Sequence, residues 1–330
     1  MIVLKDICKK FGSKKVLDNI SFHIAPKETV GIIGLNGAGK TTLLNIMSGI
    51  LKPDSGFIRI NGAESLLEHY NALRKLTYVS GTKSQLWEDM KVKDSFDNCI
   101  TMYHLDKQGA KSKLEQLIKL FEIESFLTSV PKSLSLGERM RCELVYALLT
   151  EPEILMLDEA MIGLDVSIKH KIMEYFEEYK KTRKTTMLVT SHNLLEVESL
   201  CDRIILLDRG EIIFDGSIDR IMKEYSPLYH MEVKIQGQLP DFEDLPLEKY
   251  YLKNDVLDIV FDKKKIETAA IIEHIMKKCS IEDVQLHEPD LEGTIKKLVT
   301  IQDQDNTILY CAELHSPYDT VVVTGKNPSP

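Results

Sequence analysis

The octapeptide Gly34-Leu35-Asn36-Gly37-Ala38-Gly39-Lys40-Thr41 constrains this chain more than any other stretch. It follows the apolar run Thr29 to Ile33 and opens a segment, Thr42 to Ser48, with helical spacing. Glycines in a G-x-x-x-x-G-K-[ST] stretch let the backbone curl until successive N–H groups point at one anion, and the helix N-terminus adds partial positive charge. The expectation is a phosphate cradle lined by Gly34, Asn36, Gly37, Ala38, Gly39 and Thr42. Lys40 would bridge the β- and γ-phosphates of a nucleotide, and the Thr41 hydroxyl would hold Mg²⁺. A glycine-rich turn without a ligand is the plainer alternative, and the strand before and helix after it argue against that.

A second run, Ile154-Leu155-Met156-Leu157, ends abruptly in Asp158 and Glu159. A buried central strand takes this form when it delivers charge to a site at its C-terminal end. Two carboxylates there are costly unless cation or phosphate chemistry uses them. Asp158 suits Mg²⁺ held through water, and Glu159 suits orienting an attacking water and accepting its proton.

Short β-branched runs alternate with helical patterns through the first two-thirds of the chain: Ile20 to Ile24, Thr29 to Gly34, Phe57 to Ile60, Leu76 to Val79, Ile154 to Asp158, Thr186 to Thr190 and Ile204 to Leu207. This implies a largely parallel α/β core. The stretch between Val79 and Ile154 reads as an inserted helical subdomain, about 84–150, with turn signals at Gly109 and Pro131. The pattern changes near Tyr225. Beyond it, strand-like runs at His230 to Ile235, Val256 to Phe261 and Val284 to Leu286 surround helices at Glu267 to Cys279 and Leu291 to Val299. The expected division is thus 1–224, then a small α+β domain at 225–301, then a polar tail at 302–330 with a disordered end.

A length of 330 residues suits two domains, and 43% apolar residues can fill two cores. Forty-two Lys and Arg against 51 Asp and Glu leave a net charge of -9, which argues against a chain whose main work is neutralising nucleic-acid phosphates. The six cysteines never fall into C-x-x-C spacing and read as reduced thiols of a cytosolic protein. No signal peptide and no apolar stretch near the 18 or so residues needed to cross a bilayer is visible, so a membrane role would have to come through a partner.

From residue 1 to about 222 the chain resembles the ABC ATPase family. The most specific element is Leu134-Ser135-Leu136-Gly137-Glu138, which is similar to the family signature L-S-G-G-Q and heads a helix before the acidic strand. Further matches follow in order: Gly163-Leu164-Asp165 resembles the D-loop, His192 in Thr190-Ser191-His192 resembles the switch histidine, and Phe11 stands where the family places an aromatic ring against adenine. The resemblance implies a P-loop core of mostly parallel sheet with antiparallel N-terminal strands. It also implies that ATP and Mg²⁺ are sandwiched between two copies, Ser135 and Gly137 of one facing the phosphate loop of the other, with Asp165 at the seam. The partners it implies are a second ATPase subunit, identical or related, and separately encoded membrane permease subunits at the inner face of the membrane.

Three departures matter. Thr82 stands in line with the family's coupling-loop glutamine, and Gln85 is the candidate to replace it as a Mg²⁺ ligand. Leu136 and Glu138 replace a glycine and a glutamine of the signature, and Ala160 a proline. The small C-terminal unit and the Ser84-Gln85-Leu86-Trp87 segment look closest to ATPases of drug, antibiotic and polysaccharide exporters. Trp87 is expected either inside the helical subdomain or as an anchor for a permease helix. Other readings are an ATP-binding scaffold with weak turnover and a soluble ATPase acting on nucleic acid or ribosomes.

Overall fold

The computed structural model describes residues 1–62, 75–81, 83–182, 185–191, 193–225, 228–237, 239–242, 244–288 and 291–295. The chain divides into two compact units between Ile218 and Asp219, where the sequence reading puts the boundary between 224 and 225.

The first unit opens with the long hairpin of β1 (Ile2–Phe11) and β2 (Lys14–Ile24), followed by β3 (Thr29–Ile33), α1 (Lys40–Met47), β4 (Ser55–Ile60) and β5 (Leu76–Ser80). Three helices come next, α2 (Val92–Met102), α3 (Lys107–Leu120) and α4 (Leu136–Leu149). The unit continues through β6 (Ile154–Asp158), α5 (Val166–Thr182), β7 (Thr186–Thr190), α6 (Leu194–Leu200), β8 (Arg203–Asp208) and β9 (Glu211–Ser217). Helix α7 (Ile218–Tyr225) starts at the division.

Six strands form one sheet in the order β5-β6-β7-β3-β8-β9. All neighbours are parallel except β8 and β9. Every residue of β3, β6 and β7 is buried, as a centre covered on both faces requires, and this explains their unbroken apolar and β-branched sequences. The runs at Ile20 to Ile24 and Phe57 to Ile60 do not join this sheet. They belong to a separate antiparallel sheet, β2-β1-β4, that shares its core with the parallel one through Ile2, Leu4, Ile24, Leu43, Met156 and Ile205.

The helical insertion differs from the sequence reading in one detail. Gly109 lies in the first turn of α3, where its N–H donates to the Asp106 carboxylate at 2.6 Å, so the turn signal marks an N-cap rather than a break. Pro131 does open a short 3₁₀ turn ahead of α4.

The second unit contains β10 (Leu228–Gly237), β11 (Leu247–Lys253), β12 (Val256–Asp262), α8 (Thr268–Met276) and β13 (Cys279–His287), in an antiparallel sheet ordered β11-β12-β10-β13. Met231, Val233 and Ile235 alternate inward from β10 and meet Leu257, Ile259, Ile271 and Ile275, while His230, Glu232 and Lys234 face outward. The helix expected to reach Cys279 stops at Met276, and Cys279 instead starts a strand. Residues 291–295 form a last helical stretch; the expected continuation to Val299 and the tail lie outside the described residues.

Candidate active site

The cradle is shaped by contacts a side chain would destroy. A Cβ on Gly34 would lie 2.3 Å from the carbonyl oxygen of Leu207, and one on Gly39 would lie 2.9 Å from that of Val16. Gly37 and Gly39 also take φ of 84° and 109°, the left-handed region that glycine enters without strain. A backbone bond from the Gly210 N–H to the Ala38 carbonyl ties the loop to the β8–β9 turn. Gly39 is the N-cap of α1, so Lys40, Thr41 and Thr42 form its first turn with their amide donors free of intrahelical partners.

The Lys40 side chain folds back over this loop and donates to the carbonyls of Gly34 at 2.7 Å and Leu35 at 3.2 Å. Only 6% of Lys40 is exposed. Burial pushes its ammonium below the ordinary lysine value, and the carboxylates of Glu159 and Asp158 pull the other way. One buried cation thus feels both acids at the end of β6, at the adjacent end of the same parallel sheet.

Asp158 is almost wholly buried, and each of its oxygens accepts from a hydroxyl: Oδ1 from Thr190 at 2.6 Å and Oδ2 from Tyr78 at 2.9 Å. The strand register accounts for one partner, since Asp158 stands opposite Thr190 on β7. Burial, then the Asp158 charge, pushes the Tyr78 phenol well above its usual value. Glu159 leaves the strand in the left-handed region at φ 55°, its N–H held by the carbonyl of Thr190 at 3.1 Å and by the Thr190 hydroxyl at 3.2 Å.

The signature segment forms a helix start with a reciprocal cap. Glu138 N–H donates to Ser135 Oγ at 3.4 Å, and Ser135 N–H donates to the Glu138 carboxylate at 2.8 Å. The Glu138 carboxyl is held below its usual range by that backbone donor first and the Ser135 side chain second. Gly137 packs on Gly163, where a Cβ would stand 2.2 Å from the carbonyl oxygen of Gly163. Asp165 heads α5, its carboxylate accepting from the Ile168 N–H at 3.0 Å. Its side chain is thus engaged as a helix cap.

Gln85 does not project freely. Its side-chain amide donates to the carbonyl of Tyr78, and its backbone N–H donates to both oxygens of the Glu143 carboxylate at 3.1 and 3.0 Å. Ser84 donates to the same carboxylate. Trp87 is 53% exposed beside the buried Leu86, which excludes the packed alternative. Phe11 ends the β1 arm 53% exposed, with the Lys9 ammonium 5.6 Å from its ring centroid. His192 and Thr82 lie outside the described residues.

A family model described as ABC transporter matches residues 17–162. The methionine import ATP-binding protein MetN of Clostridium tetani is 34% identical over 221 residues, 66% of this chain and 70% of MetN. The chain belongs to the ABC transporter ATP-binding protein family. Another relative of this ABC ATPase is the daunorubicin resistance ATP-binding protein DrrA3 of Streptomyces coeruleorubidus, 32% identical over 66% of this chain and 68% of its own. Among solved structures, the dimeric post-hydrolysis state of the ATP-binding cassette MJ0796 bound to ADP and Pi superposes with a TM-score of 0.60 at 26% identity, covering 66% of this chain and 99% of that one. The ABC ATPase described here is accordingly an enzyme that binds and hydrolyses ATP.

Three residues at this site escape motif reading. Tyr78, Thr190 and Glu143 match no catalytic pattern, yet they hold Asp158 and the segment around Gln85. A signal existed for two of them. A phenol inside a buried strand run and a carboxylate inside the apolar face of α4 both need hydrogen-bond partners.

Proposed function

We propose that this ABC ATPase is the motor of a separately encoded membrane permease, working as a dimer at the cytoplasmic face and driving export. The observation that carries the reading is the buried Lys40 ammonium, held by the loop carbonyls and facing the field of Asp158 and Glu159. A cation so placed suits the β- and γ-phosphates, and the amides of residues 34–42 supply the remaining donors. Phe11, exposed at its hairpin tip, is suited to stacking on adenine.

The donor set fits Mg²⁺. A buried carboxylate that accepts from two neutral hydroxyls, together with the Thr41 hydroxyl, offers hard oxygen ligands. When bound, the ion would neutralise charge developing on the phosphates. Asp158 and Thr41 would hold it, with Gln85 a further ligand only through its amide oxygen, because the amide nitrogen is engaged on Tyr78. Glu159 would orient the attacking water and take its proton, and His192 would contact the γ-phosphate. Ser135, Gly137 and Asp165 would complete the site of a second copy. The MJ0796 dimer with ADP and Pi supports that arrangement, and no helix among the described residues is long and apolar enough to cross a membrane.

Direction is the finer part. MetN, an import protein, and DrrA3, a resistance protein, are each similar to 66% of this chain, so export is argued from the resemblance of the α+β unit to the accessory domain of exporter ATPases. ATP hydrolysis and sedimentation test the whole reading. Glu159→Gln is expected to lower turnover by about 10²- to 10⁴-fold, the range for losing a general base, and to trap a dimer in Mg·ATP. A variant that hydrolyses like the parent, or stays monomeric with nucleotide bound, would remove the basis for these roles.

A further inference from the structure

Tyr78 carries two bonds that point in different functional directions. Its hydroxyl donates to Asp158 Oδ2 at 2.9 Å, at the end of the acidic strand. Its carbonyl accepts from the side-chain amide of Gln85 in the segment that leads to Trp87. Gln85 continues the path, because its N–H lies 3.0 and 3.1 Å from the two carboxylate oxygens of Glu143. Glu143 belongs to α4, the helix headed by Ser135, and Arg139 of the same helix reaches the Gly81 carbonyl at 3.5 Å. Hydrogen bonds therefore connect the Asp158 carboxylate, β5, the 84–87 segment and the signature helix without interruption.

We propose that Tyr78 is a positioning residue that relays the state of the Asp158 carboxylate to the 84–87 segment and, through Gln85 and Glu143, to the signature helix. The relay rests on the transport-ATPase reading above. A phenol donating to a carboxylate forms one of the stronger hydrogen bonds in a protein, and its geometry is demanding. A carboxylate that turns toward a nucleotide-bound cation must either carry the phenol with it or release it. Tyr78 lies on β5, an edge strand paired through β6 alone among the described strands, so it can shift with less resistance than a strand held on both sides. Gln85 thus acts as a link in the chain through its amide nitrogen and its backbone N–H, which leaves its amide oxygen for the ion. The arrangement offers a path between site and segment that does not need a direct contact from position 82.

The sole tryptophan reports on this path, because Trp87 lies two residues from Gln85 and is half exposed. The experiment uses the full chain carrying Glu159→Gln, so that nucleotide is held without turnover. Binding is followed with a fluorescent ATP analogue and Trp87 emission with Mg·ATP, using ATP in EDTA as reference. The parent is expected to bind nucleotide and to shift its Trp87 emission with Mg·ATP. Tyr78→Phe is expected to bind the analogue as the parent does and to lose the emission shift. A Tyr78→Phe chain that keeps the shift overturns the relay, and so does a parent whose Trp87 is silent while nucleotide is bound. A parent that binds no nucleotide refutes the functional reading itself, a separate result. Should Tyr78→Phe fail to fold by circular dichroism, Gln85→Glu cuts the next link, since a carboxylate cannot donate to the Tyr78 carbonyl, and the same loss is expected.

Discussion

Glu143 is the most confined acid of the described chain outside the nucleotide site, 1% exposed within the apolar face of α4. Burial pushes its carboxyl above the usual 4.5, while the Ser84 hydroxyl, the amides of Gln85 and Leu86 and the Arg139 charge pull it down. A carboxyl with a raised folded pKa binds its proton more readily in the native state. Its contribution to stability is therefore complete below about 4.5 and is lost as pH rises through the folded value. Thermal melts of the parent and Glu143→Gln between pH 4.5 and 8 are expected to diverge in the variant's favour as pH rises. A difference that stays constant across that window would mean that Glu143 does not titrate there. Sequence patterns at this scale name the residues proposed to face nucleotide and pass over those that hold Asp158 and Gln85, because Tyr78, Thr190 and Glu143 acquire their partners only when β5, β6, β7 and α4 come together.

At the scale of elements, α4 combines two demands on one residue. Ser135 caps the helix, and in the dimer it would face a γ-phosphate. The two roles separate in Ser135→Asp, because aspartate is as good an N-cap as serine while its charge repels phosphate. The variant is expected to melt within about 0.5 kcal/mol of the parent and to lose ATP-dependent dimerisation in sedimentation. Loss of both together would assign Ser135 to folding alone. Central strands were legible in the sequence because burial on both faces favours apolar and β-branched residues along their length, with Asp158 at the end of β6 the exception. The hairpin strand β1, the edge strand β9 and β11 were not, since each mixes exposed charges with inward apolar residues and so resembles loop. Gly109 misled for a related reason: in a first helical turn, glycine costs less than in a helix interior, so it need not end a helix.

For the molecule as a whole, the organising fact is two separate cores. The second is closed by Phe242, 2% exposed, with ring centroids of Tyr250 at 4.8 Å and His274 at 5.5 Å. Phe242→Ala is expected to cost about 3–5 kcal/mol in the second unit. Because none of the nucleotide-site residues lies in that unit, ATP binding by the first unit should survive, which limited proteolysis followed by nucleotide titration would show. Destabilisation that also abolishes nucleotide binding would mean that the two cores fold as one. Composition supported two cores from the outset, but only the contacts locate the division at Ile218, ahead of the change in sequence character near Tyr225.

The backbone at Glu159 has a cost of its own. A side chain bearing a Cβ sits in a left-handed turn at φ 55°, a conformation that disfavours L-residues by about 1–2 kcal/mol, and asparagine tolerates it better than glutamate does. Folding alone would choose another residue there. Glu159→Asn should melt higher than the parent while turning over more slowly, so that the enzyme surrenders some robustness at the one corner where water would be activated.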